Sequence, residues 1–237
     1  MRNTLLSGVV GSTAYGLATP TSDIDTLGIF AYDTTDLYGL TAPQETYVAK
    51  DPDPDETMHE AAKACRLMLA CNPTVLEILW LDSYVETSPL GEELIGIRSA
   101  FLTADRVKNA YMGYATQQFR RFVARNGESF AADLGPKRVA KHARHLWRLV
   151  YQGSELYTTG RLHIRLNQDE AQLCREFGDM AAGNANLGLK FMQDAEERFS
   201  RRTVLPDVPD LAPIERWLHR VRSFYNHKEA SCPLCTS

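Results

Sequence analysis

The chain has 237 residues, of which 44% are hydrophobic and 24% are charged, as in an ordinary soluble globular protein. This length is enough for one large domain or two small ones, each with a buried core. No apolar run reaches the roughly 18 to 20 residues that a membrane-spanning helix needs, and we predict no membrane association. The net charge of −4 makes no overall case for nucleic-acid binding. Because no small-residue cleavage site follows the short apolar segment 5–10, we also predict no signal peptide and a cytoplasmic protein.

The first 60 residues predict short strands. Residues 5–10 form an apolar, partly β-branched run that ends at Gly11, which is typical of a buried strand. Residues 12–22 contain glycine, proline, serine and threonine and predict a loop with at most one helical turn. Three further strands are predicted at residues 24–32, 46–49 and 55–59.

From Glu60 onward the apolar residues recur with the helical period of about 3.6 residues. Ser88 followed by Pro89 and an acidic residue is a pattern typical of a helix start. The chain therefore predicts an α+β fold, with a small α/β unit in front, helices behind and a boundary near residues 82–103. The helices predicted beyond Thr103 cover residues 104–126, 136–158, 168–178, 185–200 and 212–227.

The five cysteines are odd in number, which makes a disulfide framework improbable. Cys232 and Cys235 have the spacing of a zinc knuckle, but a structural zinc site needs four ligands. His219 and His227 are the residues that would complete it. The alternative is a frayed terminus with two free thiols.

The charges are distributed unevenly along the chain. The first 60 residues are rich in acids, whereas residues 137–165 contain many lysines and arginines and the single acid Glu155. This asymmetry suits a cleft that holds metal ions and a polyanion. The alternative is a helix with a solvated basic face.

Two acids and a glycine near the N-terminus predict a reactive site. Strand alternation places Asp23 and Asp25 on one face, about 6.5–7 Å apart, where they repel each other unless a cation such as Mg²⁺ or Mn²⁺ lies between them. Gly11 and Ser12, at the end of the preceding strand, expose backbone N–H groups that can bind phosphate oxygens. The combination is the equipment of phosphoryl or nucleotidyl transfer. The alternative is an ordinary Asp-x-Asp turn.

Gly11-Ser12, a gap of ten residues and then Asp23-Ile24-Asp25 resemble the signature of the DNA polymerase β-like nucleotidyltransferase superfamily. The fuller string GSTAYGLATPTSDIDTLGIF is similar to the RNA-repair-associated nucleotidyltransferases, a subfamily also found in phages. The resemblance covers about residues 7–166, and the chain after residue 167 matches nothing. It rests downstream on Arg66-Leu67, Asn72-Pro73-Thr74, Leu76-Glu77, Lys141, His145, Arg148 and Thr159-Gly160.

This resemblance implies a polymerase β-like palm, which we place over residues 1–100. From the pattern of predicted elements we expect a helical substrate- and nucleotide-binding domain over 101–228 and a flexible tail over 229–237. It implies transfer of a nucleoside monophosphate from a nucleoside triphosphate such as ATP to an acceptor hydroxyl, with release of pyrophosphate. Mg²⁺ or Mn²⁺ is the implied cofactor, and an RNA or tRNA end is the implied acceptor. A small molecule, a protein hydroxyl, or a non-catalytic nucleotide- or RNA-binding role is the alternative.

The superfamily normally adds a third acid from a neighbouring strand. We favour Asp55, because the subfamily places its acid just ahead of the helix and because alternation puts Asp55 on one face with Thr57 and His59. Glu60 is the second choice, and a solvated acidic loop is the alternative. The candidates are Asp51, Asp53, Asp55, Glu56 and Glu60.

Lys141, His145 and Arg148 follow the spacing i, i+4, i+7 and line one face of a predicted helix. Lys137 extends this stripe and Arg144 widens it. A cationic stripe that faces the cleft would bind phosphates of the nucleotide or the acceptor. The resemblance supports this interpretation, and a solvated helix face is the alternative.

Several neighbours of these residues are predicted to be structural. We expect Glu77 to act as a cap or a buried ion-pair partner. Tyr15 is expected to pack in the core rather than to cover the nucleotide. Core or interhelical packing is predicted for Leu146, Leu149, Val150, Tyr111, Tyr114, Phe119 and Phe122.

Overall fold

The computed structural model describes residues 2–49, 55–126, 135–182 and 184–226. The predicted tail and the candidate zinc ligands Cys232, Cys235 and His227 lie outside the described residues. The same holds for the candidate acids Asp51 and Asp53.

Five strands form one mixed sheet in the order β3-β4-β2-β1-β5. β1 is antiparallel to both β2 and β5, β3 is antiparallel to β4, and the central pair β2 and β4 is parallel. The predicted sheet is confirmed apart from β5, which sequence patterns do not show because two residues carry no period. The strands are β1 (Arg2–Val10), β2 (Asp25–Tyr32), β3 (Thr46–Ala49), β4 (Asp55–Glu60) and β5 (Glu86–Thr87).

Short helices surround this sheet, and polar side chains cap several of them. Ser88 accepts a hydrogen bond from the N–H of Gly91 with Pro89 in the first turn, so the predicted helix start at Ser88 is confirmed. Asn72 caps its helix in the same way. These helices are α1 (Gly11–Ala14), α2 (Ala61–Leu69), α3 (Pro73–Leu76) and α4 (Pro89–Gly96), with 3-10 turns at Thr34–Tyr38, Glu77–Trp80 and Arg98–Phe101.

The second half of the chain is helical, and its helices agree with the predicted segments to within about one turn. α5 and α6 pack along each other, and the apolar stripe Leu146, Leu149 and Val150 of α6 is buried. Tyr111 and Phe122 of α5 are buried as well, which confirms their packing role. The helices are α5 (Ala104–Asn126), α6 (Gly135–Thr159), α7 (Gln168–Ala182), α8 (Ala185–Arg198) and α9 (Leu211–Phe224).

The last helix, α9, packs against the N-terminal part of the chain, at α2 and α4. Trp217 is buried, and its indole N–H donates to the carbonyl of Leu90 at 2.7 Å. Arg222 forms an ion pair with Glu60 at 2.6 Å, and Arg220 pairs with Glu93. α9 thus packs against α2 and α4, which lie before residue 100. The division into two domains at residue 100 stays a prediction. Within the described ranges, no helix is both long enough and apolar enough to cross a membrane.

Candidate active site

A glycine turn and a carboxylate meet where β1 ends. Asp25 is the first residue of β2 and pairs with Val10, the last residue of β1. The chain then turns at Gly11 with a φ of +68°, a conformation that favours glycine. A Cβ atom on Gly11 would lie 2.4 Å from Oδ2 of Asp25, so a side chain does not fit there. The sequence motif therefore corresponds to a direct approach of the turn backbone to the acid.

The parallel pairing of β2 and β4 brings a second acid beside the first. Asp55 is the register partner of Asp25. Neighbouring strands lie about 4.8 Å apart and paired residues share a face of the sheet. Both acids line one cleft of about 320 Å³, together with Gly11.

Glu60, the second choice for the third acid, lies at the other end of β4. It pairs with Phe30, five residues and roughly 16 Å along the strand from Asp55. Its buried carboxylate accepts the N–H of Ala62 as a helix cap and forms the ion pair with Arg222. The structure thus brings Asp55, and not Glu60, next to Asp25.

Asp23 precedes the strand rather than lying in it. β2 begins at Asp25, and Ile24 is 44% exposed. The prediction that strand alternation sets the distance between Asp23 and Asp25 is therefore wrong, because the loop conformation sets it. Asp23 still lines a second cleft of about 270 Å³ together with Asp25 and Ser12.

The donor set suits a hard divalent cation. Carboxylate oxygens are the ligands that Mg²⁺ and Mn²⁺ prefer. Asp25 belongs to both clefts and neighbours Asp55 in one and Asp23 in the other. Among the described residues, no group of three His, Cys, Asp or Glu side chains is arranged to hold a metal ion. The residue types fit the cation, and a site of three carboxylates stays a prediction.

The basic face of α6 borders the cleft that contains Ser12 and Asp23. Four α6 residues line this cleft, while Lys137 is exposed and is not among them. The stripe therefore faces the acids rather than only solvent. The lining residues from α6 are Lys141, Arg144, His145 and Arg148.

The charge of His145 differs from that of the lysine and arginines beside it in the stripe. Burial, together with the positive charges of Arg148 and Lys141, lowers its pKa to about 3. The imidazole is therefore neutral near pH 7. It brings no charge to the cleft that it lines.

Arg148 is only 5% exposed and is held on several sides. Its guanidinium lies over the ring of Tyr15, 3.7 Å from the centroid. Nη1 donates to Oε1 of Gln152 at 2.8 Å and lies 4.0 Å from Oε2 of Glu77. Nε is buried and has no hydrogen-bond partner in the described part of the chain. The predicted phosphate ligand is thus largely engaged by the protein.

Glu77 forms the buried ion pair that the sequence predicted for it. The Tyr15 hydroxyl donates to Oε2 of Glu77 at 2.7 Å, and both residues are buried. Burial raises the pKa of Glu77 to about 7, against the opposing effect of Arg148. The expected packing role of Tyr15 is confirmed. Sequence reasoning missed Gln152, whose only signal is a polar residue four positions after Arg148.

The α+β fold is that of a polymerase β-like nucleotidyltransferase, with a short mixed sheet followed by helices. The chain belongs to the RNA repair pathway DNA polymerase beta family (RlaP), whose profile matches residues 2–204. The match confirms the resemblance seen in the motifs and extends past the segment in which they lie. Family membership supports a role in nucleotidyl transfer.

No curated protein matches the chain. Among solved structures, the chain is similar to a nucleotidyltransferase-like protein from Exiguobacterium sibiricum 255-15. The two are 9% identical with a TM-score of 0.36, and the alignment covers 92% of this chain and 73% of the other.

Proposed function

We propose that this protein transfers a nucleoside monophosphate from a nucleoside triphosphate to an acceptor hydroxyl and releases pyrophosphate. The observation that supports this most directly is the alignment of Val10, Asp25 and Asp55 across β1, β2 and β4. It puts two carboxylates beside the backbone turn at Gly11. A phosphate-binding turn next to paired acids is what this reaction needs.

The acids would bind the cation, and one of them would accept the proton of the acceptor hydroxyl. Asp25 and Asp55, with Asp23 at the loop, are the residues that would bind Mg²⁺ or Mn²⁺. The cation supplies neutralisation of phosphate charge and eases ionisation of the attacking hydroxyl. Asp55, beside Asp25 on the shared face, is also the residue we assign to accept the proton from the acceptor hydroxyl.

The turn and α6 would hold the triphosphate between them. The N–H groups near Gly11 and the hydroxyl of Ser12 bind phosphate oxygens from one side. Lys141 lines the same cleft as Ser12 and is exposed, so its ammonium is available to a ligand. Arg148 adds positive charge from its buried position, and His145 contributes a neutral hydrogen bond.

An RNA end, such as that of a tRNA, is the acceptor we propose, because the family is described by RNA repair. A small molecule and a protein hydroxyl are the competing acceptors. All three would meet the same acids and turn, so the acceptor has to be identified by assay.

The test is incubation with Mg²⁺ and each labelled nucleoside triphosphate, ATP first, in the presence of tRNA, short oligonucleotides, protein lysate or aminoglycosides. We expect label to enter RNA and pyrophosphate to be released. Asp25→Asn should lower the rate at least about 100-fold, as loss of one charge-stabilising group does. Asp207→Asn, at an exposed acid outside both clefts, is the matched control.

Equal pyrophosphate release by the wild type and Asp25→Asn would contradict the assignment of this site as the active site of an enzyme. Binding of nucleotide by the wild type without any turnover would favour the non-catalytic binding module instead. Label in aminoglycosides or in protein, with none in RNA, would overturn the choice of acceptor while leaving the reaction intact.

A further inference from the structure

Three separate parts of the cleft converge on the carboxylate of Glu77. The residue begins the 3-10 turn Glu77–Trp80 and is 3% exposed. The Tyr15 hydroxyl, from just after the phosphate-binding turn, donates to it at 2.7 Å. The backbone of Gly11 lies close enough to lower the pKa of Glu77, and Arg148 of α6 lies 4.0 Å away.

The same arrangement is fixed from the side of α6. Gln152 accepts from Arg148 and donates to the carbonyls of His163 and Ile164 at 2.9 and 3.0 Å. The guanidinium is thereby held between Gln152, Glu77 and the ring of Tyr15. Few other orientations are open to it.

A network of this kind is not explained by stability alone. Burying a carboxylate and a guanidinium is costly, and apolar side chains of similar volume often stabilise a fold as well or better. Each of Glu77's partners nonetheless borders a cleft: Gly11 borders that of Asp55, Arg148 that of Asp23, and Tyr15 both. The network therefore connects the Gly11 turn with Arg148 of α6, and the triphosphate is proposed to lie between these two.

We propose that Glu77 is a positioning residue for triphosphate binding, which holds the Gly11 turn and Arg148 at a fixed separation across the cleft. The inference rests on the proposed function. Glu77 itself borders the cleft of Asp55, and we assign its effect to its interactions with Gly11, Tyr15 and Arg148. Tyr15 takes part through its hydroxyl, which is occupied by Glu77.

The test uses Mg²⁺ and inorganic tripolyphosphate, a probe that carries no base, in titration calorimetry of the intact chain. Glu77→Gln removes the charge, and Tyr15→Phe removes one hydrogen bond while keeping the ring beneath Arg148. We expect the Kd for tripolyphosphate to rise about fivefold or more in both variants, as loss of a hydrogen bond to a charged group predicts. The number of sites per chain should stay at the wild-type value.

A matched control exists about one turn further along α6, outside both clefts. Tyr151 donates to Glu170 at 2.6 Å, and neither residue lines the two clefts. Tyr151→Phe and Glu170→Gln should bind tripolyphosphate with the wild-type Kd. A variant that merely unfolds in part would show fewer sites with an unchanged Kd, which separates positioning from loss of folded protein.

Wild-type Kd values in folded Glu77→Gln and Tyr15→Phe would overturn the inference and leave the proposed function standing. If Glu77→Gln does not fold, Tyr15→Phe decides alone. Failure of the wild type itself to bind tripolyphosphate would count against the proposed function, and the inference would fall with it.

Discussion

Asp25 and Asp55 are paired residues on the parallel strands β2 and β4, each at the first position of its strand. The chain between them passes through β3 at the edge of the sheet. Because the pair is in register, both acids lie at the same end of their strands, next to the end of β1 and the Gly11 turn. Glu60 lies at the opposite end of β4, where it caps α2 and forms an ion pair with Arg222.

The register predicts different consequences for the two acids of β4. Asp55→Asn should lower nucleotidyl transfer at least about 100-fold with little change in stability. Glu60→Gln should lower the free energy of unfolding on the order of 2 kcal/mol, since it leaves Arg222 without its buried partner. Activity per folded molecule should survive in Glu60→Gln. Turnover and urea denaturation of both variants check this, and the reverse pattern would refute the assignment.

Gly11 should tolerate no side chain. In Gly11→Ala the new Cβ must displace the Asp25 carboxylate and keep a positive φ, which costs about 1 kcal/mol in backbone strain alone. We expect triphosphate binding and turnover to be lost together. Gly113→Ala in α5 is the control, since no atom lies within 4 Å of the added Cβ. It should stabilise the fold by about 0.5–1 kcal/mol, and an active Gly11→Ala would contradict the proposed phosphate grip.

His145 should make the fold sensitive to acid. Its pKa of about 3 in the folded protein lies below that of an unfolded histidine, about 6.5, so the unfolded chain takes up the proton first. This contribution to stability is complete above about pH 6.5 and is lost as the pH falls toward 3. Between pH 7.5 and pH 5, His145→Gln should lose less unfolding free energy than the wild type. Equal losses measured by urea denaturation would contradict the depressed pKa.

Lys141 should bind phosphate through charge in an exposed setting. Lys141→Ala should raise the Kd for tripolyphosphate about threefold to tenfold, and it should flatten the dependence of binding on salt. Lys190→Ala, at an exposed lysine of α8 outside the cleft, should leave both unchanged. Titrations at low and high ionic strength make the comparison. Identical salt dependence in the wild type and Lys141→Ala would remove Lys141 from the site.

Much of the local structure could be predicted from contiguous residues. The β-rich runs before Gly11 and after Asp25, the capped helix start at Ser88 and the periodic helices beyond Thr103 follow from patterns a few residues long. Such patterns reflect backbone preferences and the separation of apolar from polar faces, which neighbouring residues set by themselves. They were sufficient to predict the fold class, whereas the family was predicted from the resemblance of Gly11-Ser12 and Asp23-Ile24-Asp25 to its signature.

Only the tertiary structure decided which distant residues meet. The register of β2 against β4 put Asp55, and not Glu60, beside Asp25. The burial of one face of α6 keeps His145 neutral and brings Arg148 to Glu77. The return of α9 to Glu60 is of the same kind. Each depends on packing between segments far apart in the chain, which fixes burial and pairing, and no period within one segment encodes it.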